Sequence, residues 1–286
     1  MSNPTYFEAL KWASLFVQKS DLEEAATRFL LLERYDWRET DLLVRYQEVM
    51  SDAVWHQYQA DVQAYVDGMP PQYVIGTAPF YGRTFQVNEA VLIPRPETEE
   101  LVEWVLTDQQ DKANLTILDV GTGSGAIGVT LQTERPDWQV TLSDISEAAL
   151  QVAETNASQL GADVELLQGD LLEPVQGRQF DVVVSNPPYI SHKEEDLMDQ
   201  SVLAHEPKLA LFAEHDGLLI YERLAAAIQQ AVIQVTELYL EIGFQQASAV
   251  KTLFETTFPT AEVVVRKDME QNDRMVRIRF ERMHDK

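Results

Sequence analysis

Asn186-Pro187-Pro188-Tyr189 follows directly on the apolar run Phe180-Asp181-Val182-Val183-Val184-Ser185. The tetrapeptide suits a demanding step, making a planar, conjugated nitrogen attack a carbon. An amide or aromatic-amine nitrogen delocalises its lone pair, as the peptide bond does, and is a poor nucleophile. An Asn side-chain carbonyl and the next backbone carbonyl can each accept one of its two N–H bonds. They fix the nitrogen and push electron density toward it. The Pro pair removes a competing backbone donor and stiffens the turn, and the Tyr ring offers a flat face to a planar substrate. Taken alone, the four residues read equally well as a strand end followed by a rigid turn.

Upstream stands Ile117-Leu118-Asp119-Val120-Gly121-Thr122-Gly123-Ser124-Gly125-Ala126-Ile127-Gly128. An apolar strand runs into a glycine-rich turn that lets a ligand approach the backbone, and a helix follows. Gly123 to Gly128 also fits the dinucleotide pattern G-x-G-x-x-G, so a NAD reading competes. The next strand, Gln139 to Asp144, ends in an acid placed to hold a ribose diol in either kind of protein. The glycine turn and Asp144 therefore say only that a nucleoside cofactor binds. The Asn-Pro-Pro-Tyr corner favours S-adenosylmethionine, because hydride transfer has no use for a double acceptor clamp.

Elements that must position these residues can be placed from the hydrophobic pattern. The first 70 or so residues read as helices. Ser20-Asp21-Leu22-Glu23 has the form of a capping box, with Leu22, Ala25, Ala26, Phe29, Leu30 and Leu32 following at helical spacing. A second helix is expected from Ser51 to a stop at Gly68, and a short one within Asp41 to Met50. Trp12, Phe16, Phe29, Trp37, Trp55 and Tyr58 are expected in a core rather than in a ligand cage. After Met69-Pro70-Pro71, three short strand-like runs, at Tyr73, at Phe80 and at Val91, alternate with turn signals and suggest a hairpin linker. Helix and strand candidates then alternate to about residue 257, which implies a parallel sheet covered on both faces. Two final strands, Ala261 to Arg266 and Met275 to Phe280, are close enough in sequence to pair antiparallel. The expected organisation is a helical substrate-recognition domain over 1–70, a hairpin linker over 71–94 and a catalytic domain over 95–286.

Composition narrows the partners. The 286 residues carry 47 acidic and 22 basic side chains, a formal net charge of −25. Such a chain is repelled by bare phosphate backbones. The acidity either keeps the protein soluble or favours a basic macromolecular partner. There is no cysteine, hence no disulfide and no thiolate metal site. The five histidines (His56, His192, His205, His215, His284) show no metal-ligand spacing, and His192 reads as a surface-loop residue. The N-terminal run lacks a basic-then-apolar signal pattern and no stretch is long enough to span a bilayer, so a cytoplasmic location is expected. A monomer is the default expectation.

Further stretches carry a family resemblance. Pro70-Pro71-Gln72-Tyr73-Val74-Ile75-Gly76, Phe80-Tyr81-Gly82, Val91 to Glu100 (VLIPRPETEE), Asp119 to Gly125, Asp144, Ser185 to Ile190, His205 to Leu211 (HEPKLAL) and Asn272 to Val276 (NDRMV) occur in order along nearly the whole chain. The ordered set resembles the HemK/PrmC-type glutamine methyltransferases that modify peptide chain release factors. The resemblance implies a class I methyltransferase domain, with a Rossmann-like, mostly parallel seven-stranded sheet and an antiparallel last strand. A small helical N-terminal domain and a β-hairpin linker would precede it. It implies S-adenosylmethionine as cofactor, and as substrate the glutamine of a Gly-Gly-Gln tripeptide at the tip of a release factor.

Carried over by position, Gly121, Thr122, Gly123, Ser124 and Gly125 would wrap the methionine and ribose of the cofactor, and Asp144 would hold the ribose hydroxyls. Asp170 would lie beside the adenine amino group. Leu171 stands where several family members have an aromatic residue. Asn186, Pro187, Pro188 and Tyr189 would receive the glutamine amide. In Arg95-Pro96-Glu97-Thr98-Glu99, Pro96 and the acids suit the start of a helix. Alternatively Arg95 or Thr98 helps close the active site. Glu206 reads as a buried structural carboxylate. Three rival activities remain at this stage: adenine methylation on flipped DNA bases, glutamine methylation of a ribosomal protein, and a non-catalytic adapter on the same fold.

Overall fold

The computed structural model describes residues 3–281; Met1, Ser2 and the C-terminal stretch with His284 lie outside the described residues. The chain forms two compact units, one running to Thr77 and taking in Asp199–His205, the other holding Ala78–Met198 and the chain from Glu206 onward.

The first unit is built from helices Tyr6–Gln18, Glu24–Arg34, Glu39–Arg45, Asp52–Val66 and Pro71–Ile75. Ala9, Ala13, Val17, Leu30, Leu31, Leu42, Tyr58 and Val62 make its core, and Trp12, Phe16, Trp37 and Trp55 pack against it. Phe29 is half-buried. The Ser51 hydroxyl caps the fourth helix by accepting from Val54 N. The capping box expected at Ser20 is not formed. The first helix runs on to Gln18, and the chain must then reverse through Asp21, whose φ is 57°. The next helix therefore starts only at Glu24, whose carboxylate accepts from Ser14 and Gln18. A capping box does close the start of the first helix, between Thr5 and Glu8. The strand expected at Tyr73 is likewise a helix, because Pro71 suits a first helical turn. Its Val74 carbonyl accepts from Arg34, whose guanidinium also makes a two-point ion pair with buried Asp61 (3.0 and 2.7 Å).

The second unit opens, from Ala78, with the hairpin of β1 (Thr77–Phe80) and β2 (Arg83–Gln86). The third strand-like run, at Val91, forms no strand. Seven strands follow: β3 (Thr116–Val120), β4 (Gln139–Asp144), β5 (Val164–Gln168), β6 (Gln179–Ser185), β7 (Gln234–Glu241), β8 (Glu262–Lys267) and β9 (Asp273–Arg279). They form one sheet in the order β5-β4-β3-β6-β7-β9-β8, in which β9 alone runs opposite to the other six strands. The fold class expected from the resemblance is the one observed.

Alternation along the strands explains why both faces are covered. Ile117, Val182 and Val184 point into one apolar layer, against Leu101, Val105, Leu131 and the hairpin residues Phe80 and Phe85. Leu118, Val120 and Val183 point into the other, against Leu224, Ile228, Val250 and Phe254. A parallel sheet buried on both faces is the expected outcome of such runs. The strand order reverses direction between β3 and β6, and in open α/β sheets ligands bind where the carboxyl ends diverge at such a point.

Gly128 shows how tightly the helix after β3 lies on the sheet. A Cβ there would fall 2.1 Å from Leu142 Cδ2 and 3.1 Å from Asp119 Cβ. Gly128→Ala overpacks this seam and is expected to lower unfolding free energy by about 1–3 kcal/mol. Urea denaturation checks this, and an unchanged midpoint would mean that the helix shifts freely.

Candidate active site

The carboxyl ends of β3, β4 and β6 converge on a cavity of about 260 Å³. At the end of β3 the chain turns sharply: Gly121 N and Thr122 N both donate to Ser143 O (2.8 and 3.0 Å), tying the glycine turn to β4. Asp119 fastens the turn from below, its Oδ2 accepting from Thr122 Oγ1 (2.6 Å) and Gly128 N (3.0 Å). Burial pushes the Asp119 carboxyl up to about 7 against the pull of those two donors, and nearby Asp144 adds to the rise. Gly121, Thr122, Gly123 and Ser124 line the cavity. Above Gly121 and Gly123 a Cβ would meet nothing within 4 Å, so the backbone here faces open space. Gly125 does not line the cavity. It caps the following helix, packed against Val129 and Ala153.

Asp144 closes β4 at the cavity wall. Its Oδ2 accepts from Gly123 N and its Oδ1 from Ser146 N, each at 2.9 Å. Each oxygen keeps a further acceptor position. The neighbouring Ile145 is 48% exposed and lines the same cavity. Asp170 and Leu171 line it after β5. Asp170 pairs with Arg223 Nη2 at 2.7 Å, and Leu171 adopts a φ of 51°. A non-glycine residue in the left-handed region is strained, and such strain gathers at binding sites.

Asn186 and Pro188 line the cavity where β6 ends; Pro187 is buried and Tyr189 turns away from it. Asn186 Nδ2 donates to Thr98 Oγ1 (3.1 Å), and Thr98 Oγ1 donates to Glu241 Oε2 (2.7 Å). Among the described residues nothing donates to Asn186 Oδ1. The Tyr189 hydroxyl donates to Glu241 Oε1 at 3.3 Å. Burial and the Glu241 charge raise the Tyr189 hydroxyl pKa well above its ordinary value. Arg95 also borders the cavity and pairs with buried Glu206 at 2.5 Å. His192 is exposed and stacks on Phe212.

Several supporting residues were not singled out in the sequence. Asn156 Nδ2 donates to Ser124 O and Gln86 O (2.8 and 3.0 Å), and its Oδ1 accepts from Gln86 N, joining β2 to the glycine turn. Glu241 carried a signal, an acid ending the apolar stretch Leu238-Tyr239-Leu240 of a central strand, where a charge is expensive unless used. Gln246 and Gly217 hold the Tyr189 backbone. Gln246 Nε2 donates to Tyr189 O (2.8 Å), and a Cβ on Gly217 would lie 2.0 Å from that same oxygen.

Comparison with known proteins gives the family. The family model for the methyltransferase small domain matches residues 98–220, and that for the PrmC N-terminal domain matches residues 8–76. A release factor glutamine methyltransferase from Enterococcus faecalis is 45% identical over 94% of this chain and 97% of its own length. The chain belongs to the release factor glutamine methyltransferase family. Its counterpart in Bacillus subtilis is 44% identical over 95% of this chain and 96% of its own. Among solved structures, the hMettl16 catalytic domain in complex with the MAT2A 3′UTR hairpin 6 matches with a TM-score of 0.56 at 14% identity. It covers 82% of this chain and 84% of that one, a likeness of fold alone. The family read from the ordered motifs is thus confirmed, and the enzyme is a methyltransferase.

Gly217 gives a direct check on the wall behind Tyr189. At φ 82° and in contact with that carbonyl, it cannot become Ala without displacing the turn. Gly217→Ala is expected to lower methyl transfer on the order of a hundredfold, the scale of a misplacement near 1 Å. Steady-state rates beside a thermal melt would show it. Wild-type turnover would mean that this turn does not set the site.

Proposed function

We propose that the enzyme transfers a methyl group from S-adenosylmethionine to the side-chain amide nitrogen of the glutamine in the Gly-Gly-Gln motif of peptide chain release factors. The observation that carries this reading is Asn186 at the end of β6, its Nδ2 engaged by Thr98 and its Oδ1 left to the cavity beside the glycine turn. Names of the relatives support the substrate class.

The cavity fits the cofactor. Gly121 to Ser124 form a cradle that a Cβ would begin to fill, and Asp144 has acceptor positions to spare for two hydroxyls. Ile145, Leu171 and Ala149 provide apolar surface for a purine, with Asp170 at its edge. When bound, S-adenosylmethionine supplies a methyl group already activated on a sulfonium sulfur. The protein's part is to hold the glutamine nitrogen in line with it. Asn186 Oδ1 and the Pro187 carbonyl each accept one N–H of the substrate amide. These fixed acceptors stabilise the positive charge that develops on the nitrogen. Transfer would form the nitrogen–carbon bond as the carbon–sulfur bond breaks, with the electron pair left on sulfur. The surplus proton leaves the nitrogen for solvent, so no strong general base is needed. Pro188 shapes the entrance and Tyr189 buttresses the turn from behind. Residues 1–70 serve recognition of the protein substrate, with the enzyme acting as a cytoplasmic monomer.

The test uses S-adenosylmethionine carrying a radiolabelled methyl group. It offers the enzyme an unmodified release factor, the same factor with its Gly-Gly-Gln glutamine changed to Ala, a ribosomal-protein mixture and duplex DNA. Label on the intact factor alone is expected. Label on DNA or a ribosomal protein, or none on any substrate, would overturn the substrate assignment.

A further inference from the structure

We propose that Glu241 is a positioning residue for the transfer, acting through Thr98 as an ionised carboxylate to fix which end of the Asn186 side chain faces the substrate. The proposal rests on Asn186 Oδ1 being the acceptor for the substrate nitrogen. Glu241 ends β7 next to the end of β6, where Ser185 pairs with Leu240, and it is 1% exposed.

The argument is one of proton counting. A hydroxyl has one proton and two lone pairs, whereas an ionised carboxylate only accepts. Thr98 gives its proton to Glu241 Oε2 at 2.7 Å, and Tyr189 gives its own to Oε1 at 3.3 Å. Toward Asn186, Thr98 Oγ1 can then only accept. Asn186 must turn Nδ2 to it, at 3.1 Å, and present Oδ1 to the cavity. Protonation of Glu241 on Oε2, the oxygen that faces Thr98, reverses the relay. The acid donates to Thr98, whose own proton swings to Asn186 and calls for Oδ1 on that side. The flipped amide would then offer N–H groups to a substrate nitrogen that also bears N–H groups.

The surroundings hold Glu241 near this balance. Desolvation raises its pKa to about 7, opposed by Thr98, by Arg274 from β9 and by Tyr189, while Glu97 from the helix Pro96–Asp108 adds to the rise. From the helix Leu219–Gln229, the Tyr221 hydroxyl donates to the Glu241 backbone carbonyl at 2.9 Å. Arg274 is itself held by buried Asp268 at 3.1 Å. This gives the Asn272-to-Val276 motif a function, that of supplying a fixed positive charge that favours the ionised form. The sign follows directly: below about 7 the acid form prevails and turnover falls.

Asp119 titrates in the same range but lies under the glycine turn. Its effect is expected on cofactor affinity, so turnover and cofactor binding must be read separately.

The experiment measures kcat at saturating release factor and cofactor from about pH 5.5 to 8.5, with calorimetric cofactor affinity and isotope-edited NMR of the Asn186 side-chain amide. In the wild type, kcat is expected to fall about tenfold per pH unit on the acid side, and the amide signals to move over the same range. Glu241→Gln should flatten both responses and lower kcat at high pH by roughly a hundredfold, with cofactor affinity unchanged. Thr98→Val should lose comparable turnover, and Thr98→Ser should recover most of it. Wild-type kcat and pH profile in Glu241→Gln, or a Ser variant as impaired as the Val variant, would overturn the proposal. So would amide signals that ignore pH in an active wild type. Amide signals that titrate as expected in an enzyme that labels no release factor would instead count against the substrate reading alone.

Discussion

The hydrogen bond from Asn186 Nδ2 to Thr98 Oγ1 is the contact on which the site depends. An amide side chain has two ends of nearly the same shape and opposite hydrogen-bonding sense. A loose Asn186 would offer a donor to the substrate as readily as an acceptor. The fold removes that freedom by bringing the start of the helix Pro96–Asp108 against the ends of β6 and β7. Three segments far apart in sequence therefore specify one side-chain orientation.

The sheet topology makes that meeting possible and sets its cost. Because β3 and β6 are neighbours whose connections leave on opposite sides, the glycine turn and the Asn-Pro-Pro-Tyr turn open into the same crevice. The same region contains two buried acids, Asp119 under the first turn and Glu241 under the second, both raised to about 7 by burial. Charges in such places oppose folding unless donors meet them. Each is met by one donor from the turn it supports, Thr122 for Asp119 and Tyr189 for Glu241, and by a second from a helix beside it, Gly128 and Thr98 respectively, so the unfavourable burial is tied to orientation of the site.

Much of this was legible in the sequence because local chemistry coincides with the global fold there. Glycines after an apolar strand, an acid ending the next strand and a Pro pair after a third each admit few conformations, and the sheet assembled as the alternation of elements implied. The misreadings were equally local. Ser20-x-x-Glu23 satisfies a capping rule but falls where the preceding helix has just ended and the chain must reverse. Tyr73-Val74-Ile75 has strand-forming residues, yet Pro71 and the contact from Arg34 to Val74 O favour a helical turn. Thr98 and Glu241 were hard to place for a different reason. Their roles come from meeting across 143 residues of chain, and no spacing rule encodes such a pair. Gly125 and Tyr189 show the converse, since both belong to the motifs while the fold packs them behind the cavity wall.

The most direct measurement is on Asn186→Ala, comparing turnover on release factor with the affinity for S-adenosylmethionine. The clamp predicts a loss of about 10²–10³-fold in kcat, the scale of removing one preorganised hydrogen-bonding group at a developing charge. Cofactor affinity should stay close to that of the wild type. Turnover retained in the Ala variant would contradict the account, because the group that receives the substrate nitrogen would then lie elsewhere.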